Sequence, residues 1–165
     1  MSANGEDVGL ELNQLRNQKI TLSGGSIAWW PCHIGDSCKI GNAGNIGSLS
    51  HIGASVIIGD NCKIQGGAYI ANKTRIGDDV FIGPNATIMN DKYPPSGDSS
   101  LWQIVEIGNR VVIGGGSNIV AGVSMNDDSV LAAGATLTHD IPVGEVWAGN
   151  PARFLMTRQQ YDAKR

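Results

Sequence analysis

Charge is scarce in this chain of 165 residues: Asp, Glu, Lys and Arg together make up 16% and leave a net charge of -3. A nucleic-acid partner selects a basic patch, so this mildly acidic balance argues against one. Aromatic residues are scarcer still, at 5%. No apolar run approaches the roughly 18 residues that a membrane span requires, so no membrane partner is expected. The opening stretch, MSANGEDVGLELNQLRNQ, is polar and acidic. It lacks the apolar segment of a secretory signal, and the protein is read as cytoplasmic. Only three cysteines occur, Cys32, Cys38 and Cys62, and their spacing makes neither a CxxC pair nor a zinc knuckle. Free, buried thiols are the expectation.

Glycine, by contrast, occurs 23 times. Without a Gly-X-Y period or a proline-rich bias, that suggests many tight turns rather than collagen or disorder. The length fits one domain. Its organisation lies in a repeat. Counting every sixth residue from Ile34 gives Ile40, Ile46, Ile52, Ile58, Ile64, Ile70, Ile76, Ile82 and Ile88. After an interruption the count resumes at Ile107, Ile113, Ile119, Met125, Leu131, Leu137 and Val143. A helix spaces its apolar residues by three and four and a strand by two, so neither produces six. A hexapeptide period marks a parallel β-helix, in which each repeat supplies a short strand and a turn.

The neighbouring positions agree. Glycine follows the spine residue at 35, 41, 47, 53, 59, 77, 83, 108, 114 and 144, where a tight backbone is expected as one face turns into the next. Four positions after each spine residue stands a small or β-branched one, such as Val56, Cys62, Ala68, Thr74, Val80 and Ala86. A second inward position near a corner has room for nothing larger. Three hexapeptides make a three-sided coil of 18 residues, and stacked coils about 4.8 Å apart build a prism roughly 25–30 Å long. Such a stack needs caps at its ends. The expected layout is a polar N-terminal cap or tail over 1–19, a β-helix over 20–153 and a C-terminal helix over 154–165.

One segment breaks the period. Between Ile88 and Ile107 lies MNDKYPPSGDSSLWQIVE, read as a loop over 89–106 that bulges from one corner. Long excursions from a rigid scaffold tend to carry function. Its start, Met89-Asn90-Asp91-Lys92-Tyr93-Pro94-Pro95, offers an amide, a carboxylate and a phenol, although the same residues are ordinary loop formers. Residues 18 apart should stack on one face, so His33, His51, Tyr69 and Thr87 form one outward column. Two histidines alone do not satisfy zinc, which takes three or four ligands. The stretch Gly144–Arg153 closes the last coil, and Arg153 with Arg158, Lys164 and Arg165 gives local positive charge suited to a phosphate.

The repeats, the single corner loop and the ending AGNPARF together resemble the hexapeptide-repeat acyltransferases. Within them the likeness is greatest to the nucleotide-sugar N-acetyltransferases of O-antigen and related glycan pathways. SIAWWPCHIG, NCKIQGGAYIANKTRIGDDVFIGPNATIMNDKYPPS and THDIPVGEVWAGNPAR are similar to the first coil, central block and last coil of that family, over roughly residues 26–154. The sequence departs from it at His139, Trp147 and Pro95, which leaves the sugar open. The resemblance implies an all-β, left-handed parallel β-helix, a homotrimer with sites at subunit seams, and acetyl-CoA as cosubstrate with no metal. It also implies roles for particular residues. Asn90 and Asp91 would carry the catalytic corner, with Tyr93 and His51 beside the substrate and Trp30 and His33 at its nucleotide end. Gly115, Ser117 and Ala133 would follow the pantetheine arm, while His139, Asn150, Pro151 and Arg153 would lie near the adenine and phosphates. The implied activity is acylation of the amino group of a nucleotide-linked sugar. O-acylation of a sugar hydroxyl, a zinc enzyme of the γ-carbonic anhydrase type and a purely structural β-helix are the alternatives.

Overall fold

The structure, a computed structural model, describes residues 18–164; the expected cap or tail over 1–19 lies almost wholly outside them. Each hexapeptide contributes a two-residue strand whose first side chain points outward and whose second, the spine residue, points inward. Hydrogen bonds run from each strand to the one a full coil later, giving three parallel sheets.

The first face comprises β2 (Ile27–Trp29), β5 (Asn45–Ile46), β8 (Lys63–Ile64), β11 (Phe81–Ile82), β14 (Val112–Ile113) and β17 (Val130–Leu131). The second holds β3 (His33–Ile34), β6 (His51–Ile52), β9 (Tyr69–Ile70), β12 (Thr87–Ile88), β15 (Asn118–Ile119) and β18 (Thr136–Leu137). The third holds β4 (Lys39–Ile40), β7 (Ile57–Ile58), β10 (Arg75–Ile76), β13 (Glu106–Ile107) and β16 (Ser124–Met125).

The core is the stacked spine. Ile52, Ile70, Ile82, Ile88, Ile113 and Ile119 are fully buried, and Val56, Ala68, Val80, Ala86 and Val111 fill the second inward position. Each fully buried isoleucine contributes about 1.5–3 kcal/mol through lost water contact. Cys62 is buried as expected, but Cys32 and Cys38 in the first coil are only half-buried, because no further coil covers them.

Glycine after the spine residue has a different cause from the one the sequence suggests. A Cβ on Gly35 would lie 2.6 Å from the Ala54 amide nitrogen and 2.8 Å from the Gly53 carbonyl carbon, in the next coil. The position demands glycine for close approach of two backbones, not for its dihedral freedom. The left-handed residues come two positions later and are mostly not glycine: Leu49, Asn61, Lys73, Asp79 and Asn85 all have φ near +60°.

Both ends depart from the plain repeat. At the N-terminal end β1 (Lys19–Thr21) pairs antiparallel with β2. At the other end β19 (Glu145–Gly149) joins β17 in parallel, and β20 (Ala152–Thr157) folds back antiparallel on β19. These returning strands occupy the two edges of the first face. The chain from 154 is therefore strand as far as Thr157, and helix only over α1 (Arg158–Asp162). Thr157 starts that helix with a capping box, its hydroxyl and the Gln160 side chain each meeting the other's backbone N–H. Arg158 ties α1 to the prism by donating to the Arg110 and Asp128 carbonyls at 3.0 and 3.2 Å. The spine also ends sooner than the count of six implies. Met125 bridges to Ile141, and Val130 pairs with Val146, both 16 positions on. The last coil is two residues short, Ile141 is fully buried, and Val143 stands 66% exposed.

Candidate functional site

The three edges of the prism differ in what happens to the backbone N–H two positions after each spine residue. On the edge after the third face, side-chain oxygens of the next coil accept these hydrogens in series. Asn42 donates to Asp60, Asp60 to Asp78, Asp78 to Asn109 and Asn109 to Asp127, at 2.6–2.9 Å. The edge after the second face is partly filled in the same way by Asn72, which accepts from Ala54, and further along it carries the loop.

The edge after the first face carries Trp30, Ser48, Gly66, Pro84, Gly115 and Ala133 in register. None of these side chains caps the coil above. Among the described residues the N–H groups of Ser48, Gly66, Gly115 and Ala133 find no acceptor. Between Trp30 and Ala133 this edge is a row of open hydrogen-bond donors, interrupted at Pro84, with only small side chains on the donor residues.

The loop leaves the opposite edge of the second face. Arg75 pairs with Glu106, 31 positions away where the preceding coils take 18, so the excursion adds 13 residues. Its neck closes where Gln103 donates to the Asn90 carbonyl at 2.8 Å. Gln103 also lies against Gly122, where a Cβ would collide with it. Inside the loop Asp91 is a clamp: its carboxylate accepts from the Ser96 N–H at 2.9 Å and the Tyr93 N–H at 3.3 Å. The Ser96 contact holds the Asp91 carboxyl below its ordinary value. A carboxylate so held is a poorer proton acceptor than a free one. Asp98 similarly accepts from Ser100 at 2.8 Å to start the turn Ser99–Leu101. Tyr93 projects from the loop, 81% exposed.

Between these two edges runs the aromatic column. The His33 and His51 rings stack at 4.5 Å with planes 12° apart, and His51 stacks on Tyr69 at 4.7 Å and 8°. Burial, and after it the adjacent His33, pushes the His51 imidazole below its usual 6.5. Ring-on-ring stacking sets the histidine nitrogens side by side rather than aiming them at one point, an arrangement poorly suited to a shared metal. Among the described residues no three His, Cys, Asp or Glu side chains gather as a metal group.

The remaining candidates separate. Gly115 and Ala133 lie one above the other on the open edge, whereas the Ser117 side chain turns inward, fully buried, and donates to the Gly114 carbonyl at 2.7 Å. Its backbone is taken up as well, the N–H donating to the Gly114 carbonyl at 3.3 Å and the carbonyl accepting from Thr87 at 2.9 Å. Asn150 and Pro151 form the exposed turn between β19 and β20, past the Ala133 end of that edge. Arg153 is exposed and donates to the Ala152 carbonyl at 2.7 Å. His139 stands on the loop's edge instead, beside Thr138 at 2.9 Å, so one protomer does not join it to Asn150 and Arg153. Sequence reasoning missed Ser48, Gly66 and Pro84. The signal was there: a column at intervals of 18, stretched to 31 across the loop, that carries none of the Asp or Asn side chains capping the edge after the third face.

These features define a parallel β-helix of hexapeptide repeats with one decorated corner. The model of the bacterial transferase hexapeptide (six repeats) matches residues 31–72, and the hexapeptide repeat of succinyl-transferase matches 73–89 and 104–139, together more than half of the chain. The chain belongs to the hexapeptide-repeat transferases, whose left-handed parallel β-helix it shares. A Saccharomyces cerevisiae protein named a putative acetyltransferase is 42% identical over 59 residues, covering 36% of this chain and 30% of that protein. The mitochondrial gamma carbonic anhydrase 1 of Arabidopsis thaliana is 39% identical over 61 residues, covering 36% of this chain and 22% of that one. A mutant perosamine N-acetyltransferase from Caulobacter crescentus, in complex with CoA and GDP-perosamine, superposes with a TM-score of 0.69 at 22% identity. That match covers 79% of this chain and 56% of that one. The matches thus span about a third or less of the sequence relatives and little over half of the solved structure, whose likeness is one of fold. No helix among the described residues is long and apolar enough to cross a membrane.

Proposed function

We propose that the protein is an acetyl-CoA-dependent N-acetyltransferase acting on the amino group of a nucleotide-linked sugar. The observation that carries this reading is the open edge at Gly115 and Ala133. A pantetheine arm is a thin chain whose amide carbonyls need N–H donors at regular spacing. Two unpaired N–H groups one coil apart, with only the Pro84 ring and the Ala133 methyl beside them, suit that chain. The turn at Asn150 and Pro151 and the Arg153 guanidinium, farther along, suit the phosphates. The solved perosamine N-acetyltransferase of the same fold, bound to CoA and GDP-perosamine, supports the substrate class.

Asn90 and Asp91 sit across the second face from that edge. The reading therefore takes the loop of one protomer over the open edge of a second, in a homotrimer. In the reaction the neutral sugar amine attacks the thioester carbonyl carbon, the C–S bond breaks, and the departing thiolate takes up the proton lost by nitrogen. Backbone N–H groups stabilise the oxyanion. Asp91 holds the loop, and Asn90 orients the amine. Bringing amine and thioester together supplies several kcal/mol of the acceleration.

The test is thiol release from acetyl-CoA with UDP-, TDP- and GDP-linked amino sugars, together with metal analysis. Turnover with one of these sugars and no stoichiometric zinc is expected. Zinc bound through His33 or His51, with no thiol release from any sugar, would put a hydratase in its place. Release with hydroxyl sugars alone would make it an O-acetyltransferase.

A further inference from the structure

Along the edge after the second face, neighbouring coils are zipped together at a fixed place. The N–H three positions after a spine residue donates to the carbonyl two positions after the spine residue of the coil before. Ser55 donates in this way to Asp36 at 2.8 Å, and Lys73 to Ala54 at 2.9 Å. Continued past Ile88 and Ile119, the rule assigns the Asn90 carbonyl to the Gly122 N–H. The Gln103 N–H takes that carbonyl instead, at 2.8 Å. The Gly122 N–H has no acceptor among the described residues. The returning limb of the loop is thus wedged between two coils, in the slot that a coil-to-coil bond would otherwise close.

Gly122 makes the room for the wedge. Its φ is +79°, but the equivalent residues Ser37, Ser55 and Lys73 are left-handed too, with φ of 60°, 59° and 65°. Conformation alone therefore does not call for glycine at this place on the edge. The contact does: a Cβ at 122 would fall on the Gln103 Oε1 and lie 3.1 Å from both the Cβ and the Cδ of that side chain. The chain on either side of the wedge is pinned to the coils. Met89 donates to the Ile119 carbonyl at 3.0 Å, and the Val105 carbonyl accepts from Arg75 at 3.1 Å. Asn90 thus stands between a coil bond at Met89 and the Gln103 bond at its own carbonyl. The direction of its side chain follows from both.

We infer that Gln103 and Gly122 are positioning residues for the acceptor, the wedge setting the place of Asn90 and so the line along which the amine meets the thioester. This rests on the reading of Asn90 as the residue that orients the amine. Neither Gln103 nor Gly122 has to touch substrate. Acting through Asn90, they govern the chemical step rather than the binding of acetyl-CoA, whose proposed groups at Gly115 and Ala133 lie on another edge.

Three variants of the full-length protein test it: Gly122→Ala, Gln103→Gly and the two together. Gly122→Ala should lower kcat about 10- to 100-fold, the effect of a reacting group displaced by about an ångström. Its KM for acetyl-CoA should stay within about twofold of the parent. Gln103→Gly keeps the backbone donor and removes the side chain that the new methyl strikes. The double variant should therefore regain kcat to within about threefold of Gln103→Gly alone, although the left-handed alanine remains. Hydrogen exchange adds a readout that needs no substrate. The residue 103 amide should exchange faster in Gly122→Ala and slow again in the double variant, while the Lys73 amide on the same edge stays unchanged. An unchanged kcat in Gly122→Ala, or a loss that the double variant does not recover, overturns the inference. No thiol release by the parent with any UDP-, TDP- or GDP-linked amino sugar sinks the acetyltransferase reading instead. Exchange at residue 103 then decides the wedge by itself: it survives if Gly122→Ala quickens exchange and the double variant slows it, and falls if neither changes it.

Discussion

The imidazoles of His33 and His51 lie face to face at 4.5 Å, although 18 residues separate them in the chain. One turn of the coil brings each outward residue over its counterpart, so whatever stands at an outward position is repeated or varied along a straight line. The scaffold converts a sequence interval into a column, and chemistry is written in columns. The open row from Ser48 to Ala133, the capped row from Asn42 to Asp127 and the aromatic row from His33 to Tyr69 are three such lines.

The stack makes stability depend on pH. His51 is held below its usual 6.5, first by burial and then by His33, so the folded chain binds this proton less readily than the unfolded one. The contribution of neutral His51 is whole above about pH 6.5 and is lost as pH falls through that value toward the lower folded one. The urea midpoint should drop between pH 7.5 and 5.5, and drop less in His51→Gln. An equal drop in both proteins would show that the histidine pair is not responsible.

The end of the spine gives a second test. Ile141→Ala removes a fully buried side chain and should cost about 2–5 kcal/mol. Val143→Ala, at the position the period of six selects, should stay within about 0.5 kcal/mol because that side chain is mostly in water. Urea denaturation of the two variants distinguishes the 16-residue last coil from an 18-residue one. A large loss at 143 with none at 141 would contradict the observed register.

Where the sequence spoke clearly, one requirement dominated each position. Ile52, Ile70 and Ile88 must fill the same cross-section in successive coils, so period and identity coincide and the core was legible throughout. At the ends two requirements compete. Val143 is apolar and falls on the count, yet the chain there must turn toward β19, and the shorter path through Ile141 wins. Phe154, Leu155 and Met156 suit a helix in composition, but the exposed edge of β19 needed a strand to pair with. The loop was visible as an interruption, whereas the role of Asp91 was not, since only its contacts to Ser96 and Tyr93 distinguish a clamp from a base. The open edge escaped notice because it is a pattern of missing side chains.

Close approach between coils predicts a further asymmetry among glycines. Gly35→Ala would place its Cβ 2.6 Å from the Ala54 nitrogen, with only backbone atoms to yield. Overpacking of that kind costs about 1–3 kcal/mol. Gly97→Ala, with φ of +66° but nothing within 4 Å of the added carbon, should cost only the left-handed strain of roughly 1–2 kcal/mol. Because Gly97 belongs to the loop, its cost should vanish from the denaturation midpoint if the loop opens independently of the coils, while the Gly35 penalty persists. Hydrogen exchange of the Ala54 amide, faster in Gly35→Ala and unchanged in Gly97→Ala, would locate the effect between coils.

Asp91 provides the test of mechanism. Two backbone N–H groups meet its two carboxylate oxygens, and an amide side chain can accept on only one. Asp91→Asn should therefore loosen the loop and lower turnover about 10- to 100-fold, the cost of a reacting group displaced by about an ångström. A general base would show itself differently. Its loss would remove a limb of the pH–rate profile and leave a rate rising with hydroxide. With Asp91 acting as a clamp, the profile of Asp91→Asn keeps the shape of the parent across pH 6–9 and is merely lower. Protection of the Ser96 amide from exchange should fall in the same variant. A changed profile with Ser96 protection intact would return Asp91 to the role of proton acceptor.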